Sequence, residues 1–361
     1  MSSTHLFQAL SAGPLSLRNR IAMAPMTRSR ALGNVPNALM TDYYRQRNGA
    51  GLVISEGTSP SPEGLGYPRI PGLFTDEQQA GWARIAEAVH AGGARLVVQL
   101  MHTGRVAHAA NLPAGQAIAP SAVRAAGQIW TDSAGLQDHD RPKAMDAADI
   151  ARVREDFVAS ARRAIAAGVD GVEIHGANGY LPAQFLNPGS NQRQDEYGGS
   201  AVNRRRFLLE LVDAVVAAIG PERVGVRLSP FNAYNDLLAG YEGEAEETRD
   251  LAAELARRGI AYLHLIATPG AVPDATVADV RAAFPGTLVL AGDFDRDKAE
   301  AALAAGRADV IAFGRPFIGN PDLPARLQQG LALAGFDGDK LFSASAEGYN
   351  DYPAATEALA A

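Results

Sequence analysis

Residues Gly171–Tyr180 read GVEIHGANGY, a short apolar run that ends in a polar, glycine-containing turn. The same pattern, followed by an alanine-rich amphipathic stretch, recurs along the chain. Most runs stay apolar instead of alternating with polar residues, which is typical of parallel strands covered on both faces. The series comprises Ile21–Met26, Leu52–Ser55, Arg95–Leu100, Gly171–His175, Val224–Leu228, Tyr262–Ile266, Leu288–Ala291 and Val310–Phe313.

Helical stretches separate these runs, and their ends carry recognisable signals. Thr75 and Gln78 form a capping box, and Gly220-Pro221 ends another helix. Eight strands alternating with helices predict an α/β protein, a (β/α)8 TIM barrel in which residues 1–361 form a single domain. A doubly wound open sheet is the alternative, weakened because no Gly-rich fingerprint follows the first strand. The predicted helices are Asp76–Ala91, Ala147–Ala167, Asn203–Ile219, Ala245–Arg258 and Lys298–Ala305.

Some segments do not follow this repeat. Met101–Met145 and Gly176–Ser200 have no clear period, and both follow strands on the side where barrel enzymes keep their active sites. We therefore predict long active-site loops there. Before the first strand, Leu15–Leu17 and Asn19–Ile21 predict a short N-terminal hairpin that plugs the opposite end of the barrel.

The composition narrows the class of protein. The net charge is −7 and Arg204–Arg206 is the densest basic run, so we expect no nucleic-acid partner. The chain has no cysteine, which excludes disulfides, thiolate nucleophiles and cysteine-based metal sites and fits a cytoplasmic location. Neither a signal peptide nor a membrane-spanning run is apparent, so we expect no membrane association and no bound metal.

Glycines follow the last two predicted strands. In barrels, the turns after strands seven and eight often bind phosphate through backbone N–H groups. Gly292 and Gly314 allow close backbone approach, and Arg315 adds a bidentate donor. These features favour a phosphate site, although tight turns alone are the alternative.

Other polar side chains lie at the predicted C-terminal ends of the strands. Arg227 brings a permanent positive charge to the mouth, or it forms a structural ion pair with Glu173, and the sequence leaves both open. His175 and Asn178 are spaced so that both can donate to one oxygen that gains negative charge. Tyr180 is a phenol suited to protonating a carbanion. Each residue alone is more often structural, and their joint spacing favours a catalytic group.

Longer motifs resemble a known family, the Old Yellow Enzyme family of FMN-dependent ene-reductases, and most closely its N-ethylmaleimide reductase-like members. The resemblance extends over nearly the whole chain. Its motifs are APMTRSRA at Ala24–Ala31, QLMHTGR at Gln99–Arg105, VEIHGANGYLPAQFL at Val172–Leu186, SNQRQDEYGGSAVNRRRF at Ser190–Phe207, IAFGRPFIGNPDLPARL at Ile311–Leu327 and AEGYNDYP at Ala346–Pro353.

The resemblance implies a role for each matching residue. FMN would lie, without a covalent bond, across the mouth of a TIM barrel. His175 and Asn178 would hold the electron-withdrawing oxygen of the substrate, and Tyr180 would supply the proton. Tyr67, Met101 and Phe342 would shape the substrate pocket. The cofactor-binding set would be Pro25, Met26 and Thr27 along the flavin, Gly57 and Gln99 at its edge, Arg227 near N1, and Ala291, Gly292, Asp293, Gly314 and Arg315 around the phosphate.

The resemblance also implies an NAD(P)H-dependent FMN oxidoreductase. Hydride from NADPH or NADH would pass by way of flavin N5 to the C=C bond of electron-poor alkenes. These small-molecule partners would be enones, enals, maleimides and nitroalkenes, with nitro compounds or nitrate esters as further substrates. The protein would be a monomer or a homodimer. The physiological substrate, the preferred nucleotide and the stereochemical preference do not follow from the resemblance.

A few positions depart from the family pattern. Asp293 stands where a small residue or an amide is common, so its side chain is predicted to turn away from the phosphate. Met101 replaces an aromatic residue, and Phe342 stands where a tyrosine is frequent, which removes one hydroxyl from the pocket. Two other classes compete with the reductase: a cofactor-free lyase or isomerase, for which no lysine or carboxylate pair is found at the strand ends, and a flavin-storage protein, which would not need the His–Asn–Tyr set.

Overall fold

The computed structural model describes residues 4–12, 15–113 and 115–355. The predicted domain limits, Met1 and Ala361, lie outside these residues. In the described part, the strands are β1 (Leu10–Ala12), β2 (Leu15–Leu17), β3 (Ile21–Met23), β4 (Leu52–Ile54), β5 (Arg95–Leu100), β6 (Ile118–Ala119), β7 (Gln128–Thr131), β8 (Gly135–Asp138), β9 (Lys143–Ala144), β10 (Gly171–Gly176), β11 (Val224–Leu228), β12 (Tyr262–Ile266), β13 (Thr287–Ala291) and β14 (Val310–Phe313).

Helices follow the barrel strands and cover their outer face. In the same described residues they are α1 (Ala38–Gln46), α2 (Asp76–His90), α3 (Ala147–Ala166), α4 (Leu181–Leu186), α5 (Ala201–Ile219), α6 (Glu244–Arg257), α7 (Asp274–Ala283), α8 (Arg296–Ala304), α9 (Pro316–Gly319) and α10 (Leu323–Gln329). The predicted helices are confirmed, with boundaries that shift by one or two residues. The capping box of Thr75 and Gln78 begins α2 as predicted.

The predicted barrel is confirmed. Within the described residues, eight parallel strands close in the order β3, β4, β5, β10, β11, β12, β13, β14 and back to β3. This closure excludes the open-sheet alternative. A large apolar core lies between the strands and the helices. The strand interiors therefore read as nearly continuous apolar runs, since neighbouring side chains point alternately to this core and to the inside of the barrel.

The N-terminal hairpin exists, but its predicted pairing is wrong. β2 pairs antiparallel with β1, Leu10 opposite Leu17, and not with Asn19–Ile21. Asn19 instead caps the start of β3, because its Oδ1 accepts from the Ile21 N–H at 3.1 Å. Leu15 and Leu17 pack against residues that point into the barrel, such as Ala22 and Val97, so the hairpin does plug this end.

The predicted loop over 101–145 contains short strands. β7 and β8 form an antiparallel hairpin, and β6 pairs with β9. The sequence shows no polar–apolar alternation there because the strands are short and their exposed face carries the apolar side chains of Trp130 and Leu136. Among the described helices, none is long and apolar enough to span a membrane. In the same residues, no group of three His, Asp or Glu side chains is placed to hold a metal ion.

Candidate active site

A cavity of about 920 Å³ opens at the C-terminal ends of the barrel strands. This volume lies near the upper end of the range for small-molecule sites. Loops after several strands contribute to its wall, so residues far apart in sequence meet there. The predicted site residues that line it are Pro25, Thr27, Gly57, Tyr67, Gln99, Met101, His175, Asn178, Tyr180, Arg227 and Phe342.

Strand register arranges the polar side chains on the cavity floor. His175 of β10 lies beside Arg227 of β11, which lies beside His264 of β12. Two residues earlier on β10, Glu173 lies beside Gln99 of β5. Because residues two apart on a strand point to the same face, Glu173 and His175 both face the inside of the barrel. All five side chains are buried.

Glu173 organises the lower part of this floor. Its Oε1 accepts from Gln99 Nε2 at 2.7 Å, and its Oε2 lies 2.8 Å from His264 Nδ1. Burial alone would raise the pKa of Glu173, but attraction to His264 and Arg227 and its hydrogen bonds lower it, so the carboxylate is charged. Burial lowers the pKa of His264, so the ring is neutral and donates through Nδ1. Since its NH2 is engaged by Glu173, Gln99 keeps its carbonyl oxygen free for a further partner.

The sequence leaves two roles open for Arg227, a positive charge at the barrel mouth and a structural partner of Glu173, and the structure shows features of both. Its side chain lines the cavity, and Glu173 acts on it electrostatically while hydrogen-bonding to other groups. Burial lowers the pKa of Arg227 and the charge of Glu173 opposes that shift. Arginine stays protonated in either case. Among the described residues, the buried Nε of Arg227 has no hydrogen-bond partner.

Asn178 is held from the neighbouring loop by side-chain contacts. Its N–H donates to Ser229 Oγ at 2.8 Å, and its carbonyl accepts from Asn235 Nδ2 at 2.8 Å. Its Oδ1 accepts from Asn232 Nδ2 at 2.9 Å, which leaves its NH2 facing the cavity. The backbone is left-handed here, with φ 56°, a conformation that asparagine tolerates better than most residues. Asn178 therefore presents a donor, as predicted.

His175 and Tyr180 lie side by side. Their ring centroids are 4.9 Å apart in an edge arrangement. Burial and the positive charge of Arg227 hold the pKa of His175 well below its usual range, so the ring is neutral. In the part of the chain that the structure describes, its buried Nδ1 has no partner. A neutral imidazole can donate one hydrogen bond to an oxygen beside Asn178.

Tyr180 keeps its proton over the working pH range. Burial raises the pKa of Tyr180 to about 12. Its hydroxyl donates to the Tyr67 hydroxyl at 3.3 Å, and the two rings meet edge to face. The phenol is thus available as a weak acid next to the paired donors His175 and Asn178.

The turns after β13 and β14 hold the remaining predicted residues, with Ala291 at the end of β13. Gly292 has φ 146°, and a Cβ there would lie 2.5 Å from the Ala267 carbonyl oxygen. Asp293 adopts a left-handed φ of 47° and is exposed, and its predicted orientation away from the phosphate stays a prediction. Gly314 lies beside Met26, and a Cβ added at Gly314 would be 3.7 Å from Met26 Sδ. Arg315 is exposed. The turn after β14 lies next to β3, because β14 pairs with β3. The phosphate role of both turns stays a prediction.

Several residues in or next to the cavity were not predicted from the sequence. Asn232 and Asn235 hold Asn178, and the hairpin of β7 and β8 forms part of the rim. The polar segment SPFNAYND at Ser229–Asp236 directly follows a predicted barrel strand, and that position could have identified it. Nothing in the hairpin sequence marks it as a cavity wall.

The fold and the site together define a class of protein. A parallel barrel presents two donors and a protonated phenol above a buried arginine, and such a site can polarise an oxygen and protonate a neighbouring carbon. No lysine or carboxylate pair is found among the described residues that line the floor. This is the site of a barrel enzyme, and any hydride transfer there would need a bound cofactor, since none of these side chains can carry a hydride.

Comparison with known proteins agrees with this class. Residues 5–334 match the model of the NADH:flavin oxidoreductase / NADH oxidase family. The chain is 39% identical over 351 residues to 12-oxophytodienoate reductase 1 from Oryza sativa subsp. japonica, covering 94% of this chain and 90% of the relative. It is 40% identical to a probable flavin mononucleotide-dependent alkene reductase from Leishmania infantum, covering 96% and 97%.

Solved structures show the same likeness. Morphinone reductase superimposes with a TM-score of 0.94 at 44% identity, covering 99% of this chain and 98% of that one. The Old Yellow Enzyme homologue from Zymomonas mobilis gives a TM-score of 0.92 at 39% identity, covering 96% and 99%. The chain therefore belongs to the NADH:flavin oxidoreductase family of Old Yellow Enzyme-type flavoproteins.

Proposed function

We propose that this protein is an FMN-dependent ene-reductase that reduces the C=C bond of alkenes carrying an electron-withdrawing oxygen. The observation that carries the proposal is the convergence of His175, Asn178 and Tyr180 on one cavity, above the buried Arg227. Enones, enals, maleimides and nitroalkenes all offer an oxygen that two donors can polarise. NADPH or NADH is the proposed hydride donor, and the cytoplasm is the proposed location.

The residues present fit FMN. A buried donor without a protein partner needs an acceptor from a ligand or from water, and Arg227 Nε is such a donor among the described residues. The free carbonyl of Gln99 can accept from a ring N–H, and Arg227 can offset negative charge on the pyrimidine end. Gly292, Gly314 and Arg315 would hold the phosphate, while Pro25, Met26, Thr27 and Gly57 would border the ring. Bound FMN would supply the hydride.

The chain's own residues then divide the remaining work. His175 and the NH2 of Asn178 donate to the substrate oxygen, which stabilises the negative charge that develops there as the β-carbon accepts hydride. Tyr180 gives its phenolic proton to the α-carbon. Tyr67 accepts from the Tyr180 hydroxyl and so holds the phenol toward the cavity. Tyr180 regains its proton from solvent or from bound water through the cavity mouth.

The test is spectroscopic. Purified protein, reconstituted with FMN if necessary, should be yellow, should bleach under anaerobic NADPH or NADH, and should recolour when 2-cyclohexenone or N-ethylmaleimide is added. Comparing the two nucleotides settles the donor. Protein that does not bind FMN would overturn the proposal, and so would holoprotein that bleaches but recolours only with oxygen, since that behaviour would indicate flavin storage or an oxidase.

A further inference from the structure

A segment near the C-terminus forms part of the cavity wall. We call residues 338–350 the strap. Apart from the short 3-10 helix Gly338–Lys340, the strap has no regular secondary structure, and the structure describes all of its residues. The strap residues that line the cavity, together with Pro25, Thr27 and Gly57 of the predicted flavin site, are Asp339, Phe342, Ser343 and Ala344.

The strap has little apolar contact with the rest of the protein. Most of its side chains are exposed or half-buried, and Tyr349 is the one that is fully buried. Tyr349 stacks on Tyr43 of α1, with ring centroids 4.1 Å apart and the planes 3° from parallel. A segment that buries so little apolar surface can detach at a lower free-energy cost than the barrel can unfold.

Buried arginines hold the strap by its backbone. Arg28 donates to the carbonyl oxygens of Leu341 at 3.2 Å and Gly348 at 2.6 Å. Hydrogen bonds from a charged donor are stronger than neutral ones. Arg30 donates to one hydroxyl and to several carbonyl oxygens of the strap, namely Ser343 Oγ and the carbonyls of Lys340, Leu341, Ser345 and Glu347.

The same arginines belong to the segment predicted to border the flavin. Arg28 directly follows Thr27, which lines the cavity, while the Arg28 guanidinium lies against the strap. The Arg28 N–H donates to Glu56 Oε2 at 3.2 Å, and Glu56 precedes Gly57 of the cavity lining. A ligand that fixes Thr27 and Gly57 therefore also fixes the backbone that carries Arg28.

Two further arginines connect the strap to other parts of the cavity wall. Arg47 Nη2 donates to the Tyr349 carbonyl oxygen at 3.4 Å and to the Ile318 carbonyl oxygen at 3.1 Å. Ile318 lies in α9, the helix that follows the turn after β14. Arg69 Nη2 donates to the Phe342 carbonyl oxygen at 2.9 Å. The strap is thus anchored beside the predicted phosphate turn as well as beside the predicted flavin edge.

We propose that the strap opens to let FMN enter and leave, and that Arg30 is the positioning residue that keeps it closed. The proposal rests on the proposed function, because FMN is the ligand that it retains. FMN lying against Thr27 and Gly57 would order the segment that carries Arg28 and Arg30, and these arginines would then hold the strap against the cavity. Such coupling is reciprocal, so a change that loosens the closed strap must also weaken FMN binding.

The decisive variant is Arg30→Lys, with Arg281→Lys as the matched control. Lysine keeps the positive charge, but its single ammonium group has only three donors and no planar fork. Arg281 also donates to two backbone carbonyls, those of Phe284 and Gly286, at the opposite end of the barrel. We expect Arg30→Lys to raise the rate of FMN dissociation about tenfold, the order for the loss of one charge-assisted hydrogen bond, and Arg281→Lys to leave it unchanged. Released FMN is followed by its fluorescence after dilution of the holoprotein.

Trypsin reports opening of the strap directly. Between residues 331 and 361 the chain offers trypsin one site, after Lys340, and that bond lies in the strap. Cleavage there should be faster in apoprotein than at saturating FMN, and the loss of residues 341–361 is identified by intact mass. Arg30→Lys should speed cleavage and lower the ratio of the apoprotein rate to the holoprotein rate. A purely structural role of Arg30 would not change that ratio.

A milder variant covers the case in which Arg30→Lys does not fold. Ser343→Ala removes one acceptor of Arg30, the Oγ at 2.7 Å from Nη2, and leaves the backbone acceptors in place. It should produce the same changes on a smaller scale, about threefold in FMN dissociation, as for one weaker hydrogen bond.

The outcomes separate this proposal from the proposed function. Unchanged FMN release in folded Arg30→Lys and Ser343→Ala would overturn the strap proposal. Faster release without faster cleavage would also overturn it, because Arg30 would then act on the flavin segment alone, and so would an unchanged ratio of cleavage rates. Holoprotein that shows the expected release and cleavage but reduces no alkene would support the strap and overturn the reductase. Protein that binds no FMN would overturn both.

Discussion

Asn232 Nδ2 donates to Asn178 Oδ1 at 2.9 Å, and this contact orients the Asn178 amide with its NH2 toward the cavity. Asn178 faces the cavity with a donor because its oxygen is already engaged. Asn232 lies in the loop after β11, one strand away from the loop that it orients. A residue that does not belong to the predicted catalytic group thus decides whether that group contains two donors or one.

Replacing Asn232 tests this orientation. Asn232→Ala removes the constraint, and we expect kcat/KM for an activated alkene to fall about fivefold, the equivalent of ~1 kcal/mol for one hydrogen bond. Asn232→Asp should be worse than alanine, because a carboxylate accepts from the Asn178 NH2 and turns its oxygen toward the substrate. Steady-state kinetics with 2-cyclohexenone gives the order of the two variants. If aspartate is tolerated as well as alanine, the amide orientation is not what matters.

Tyr180→Phe tests the proton donor. Loss of a general acid typically slows the step it serves by about 10²–10⁴, so alkene reduction should slow by that range. Flavin reduction by the nucleotide needs no phenol and should change little. Stopped-flow absorbance resolves the two half-reactions, and equal losses in both would argue against a proton-donor role.

The pH dependence of the same step follows from the pKa of Tyr180, about 12. The active form is the protonated phenol, and burial disfavours its ionisation. The rate of alkene reduction should therefore stay constant up to pH 9 and fall only as the pH approaches 12. The measurement covers the pH range in which the protein stays folded. A decline centred near the ordinary tyrosine pKa of about 10 would show that Tyr180 is not buried in the working enzyme.

The sequence was sufficient to predict the barrel and to place most of the residues that line the cavity, because a side chain at the C-terminal end of a barrel strand lies at the mouth of the barrel. His175 and Arg227 each lie next to the last residue of a barrel strand, so closure of the barrel brings them together whatever the loops do. The contacts of Asn232 and Arg69 could not be predicted in this way, since they join loops that follow different strands. The hairpin partner of Leu15–Leu17 was missed for another reason. Leu10–Ala12 is too short to show alternation, whereas Asn19–Ile21 is adjacent to an obvious strand.

Glu173→Gln tests the buried floor. Glutamine removes a negative charge beside Arg227 and has one oxygen for the two donors Gln99 and His264, so one hydrogen bond is lost. Reduced flavin carries more negative charge than oxidised flavin, so loss of the Glu173 charge should favour the reduced form. The midpoint potential of bound FMN should rise by about 30 mV for each tenfold change in the affinity for reduced relative to oxidised flavin. FMN should also bind more weakly, because Gln99 can rotate. Potentiometry and FMN titration report these effects without turnover.

Glu173→Asp provides the control for charge. It keeps the carboxylate but moves it away from Gln99, so FMN affinity should fall while the potential stays close to wild type. A potential that is the same in glutamine, aspartate and wild-type proteins would mean that the floor charge is screened from the flavin.

The two glycines of the predicted phosphate turns allow a sharper test, because the protein constrains them differently. A Cβ at Gly292 would lie 2.5 Å from the Ala267 carbonyl oxygen, and its φ of 146° strains any other residue. Gly292→Ala should therefore lower the melting temperature of the apoprotein. A Cβ at Gly314 would find only ordinary contacts, 3.7 Å to Met26 Sδ and 3.9 Å to Ala24 Cβ. Gly314→Ala should leave apoprotein stability unchanged.

Gly314→Ala should nonetheless weaken FMN binding if the phosphate lies against this turn, since the added methyl group would occupy space that the protein leaves open for the ligand. We expect at least a tenfold rise in the Kd for FMN, and a smaller rise for riboflavin, which has no phosphate. Melting of the apoprotein and fluorescence titration with both flavins measure the two effects separately. Equal losses of FMN and riboflavin affinity would place the ring, and not the phosphate, beside Gly314. Unchanged binding of both would remove the turn after β14 from the cofactor site.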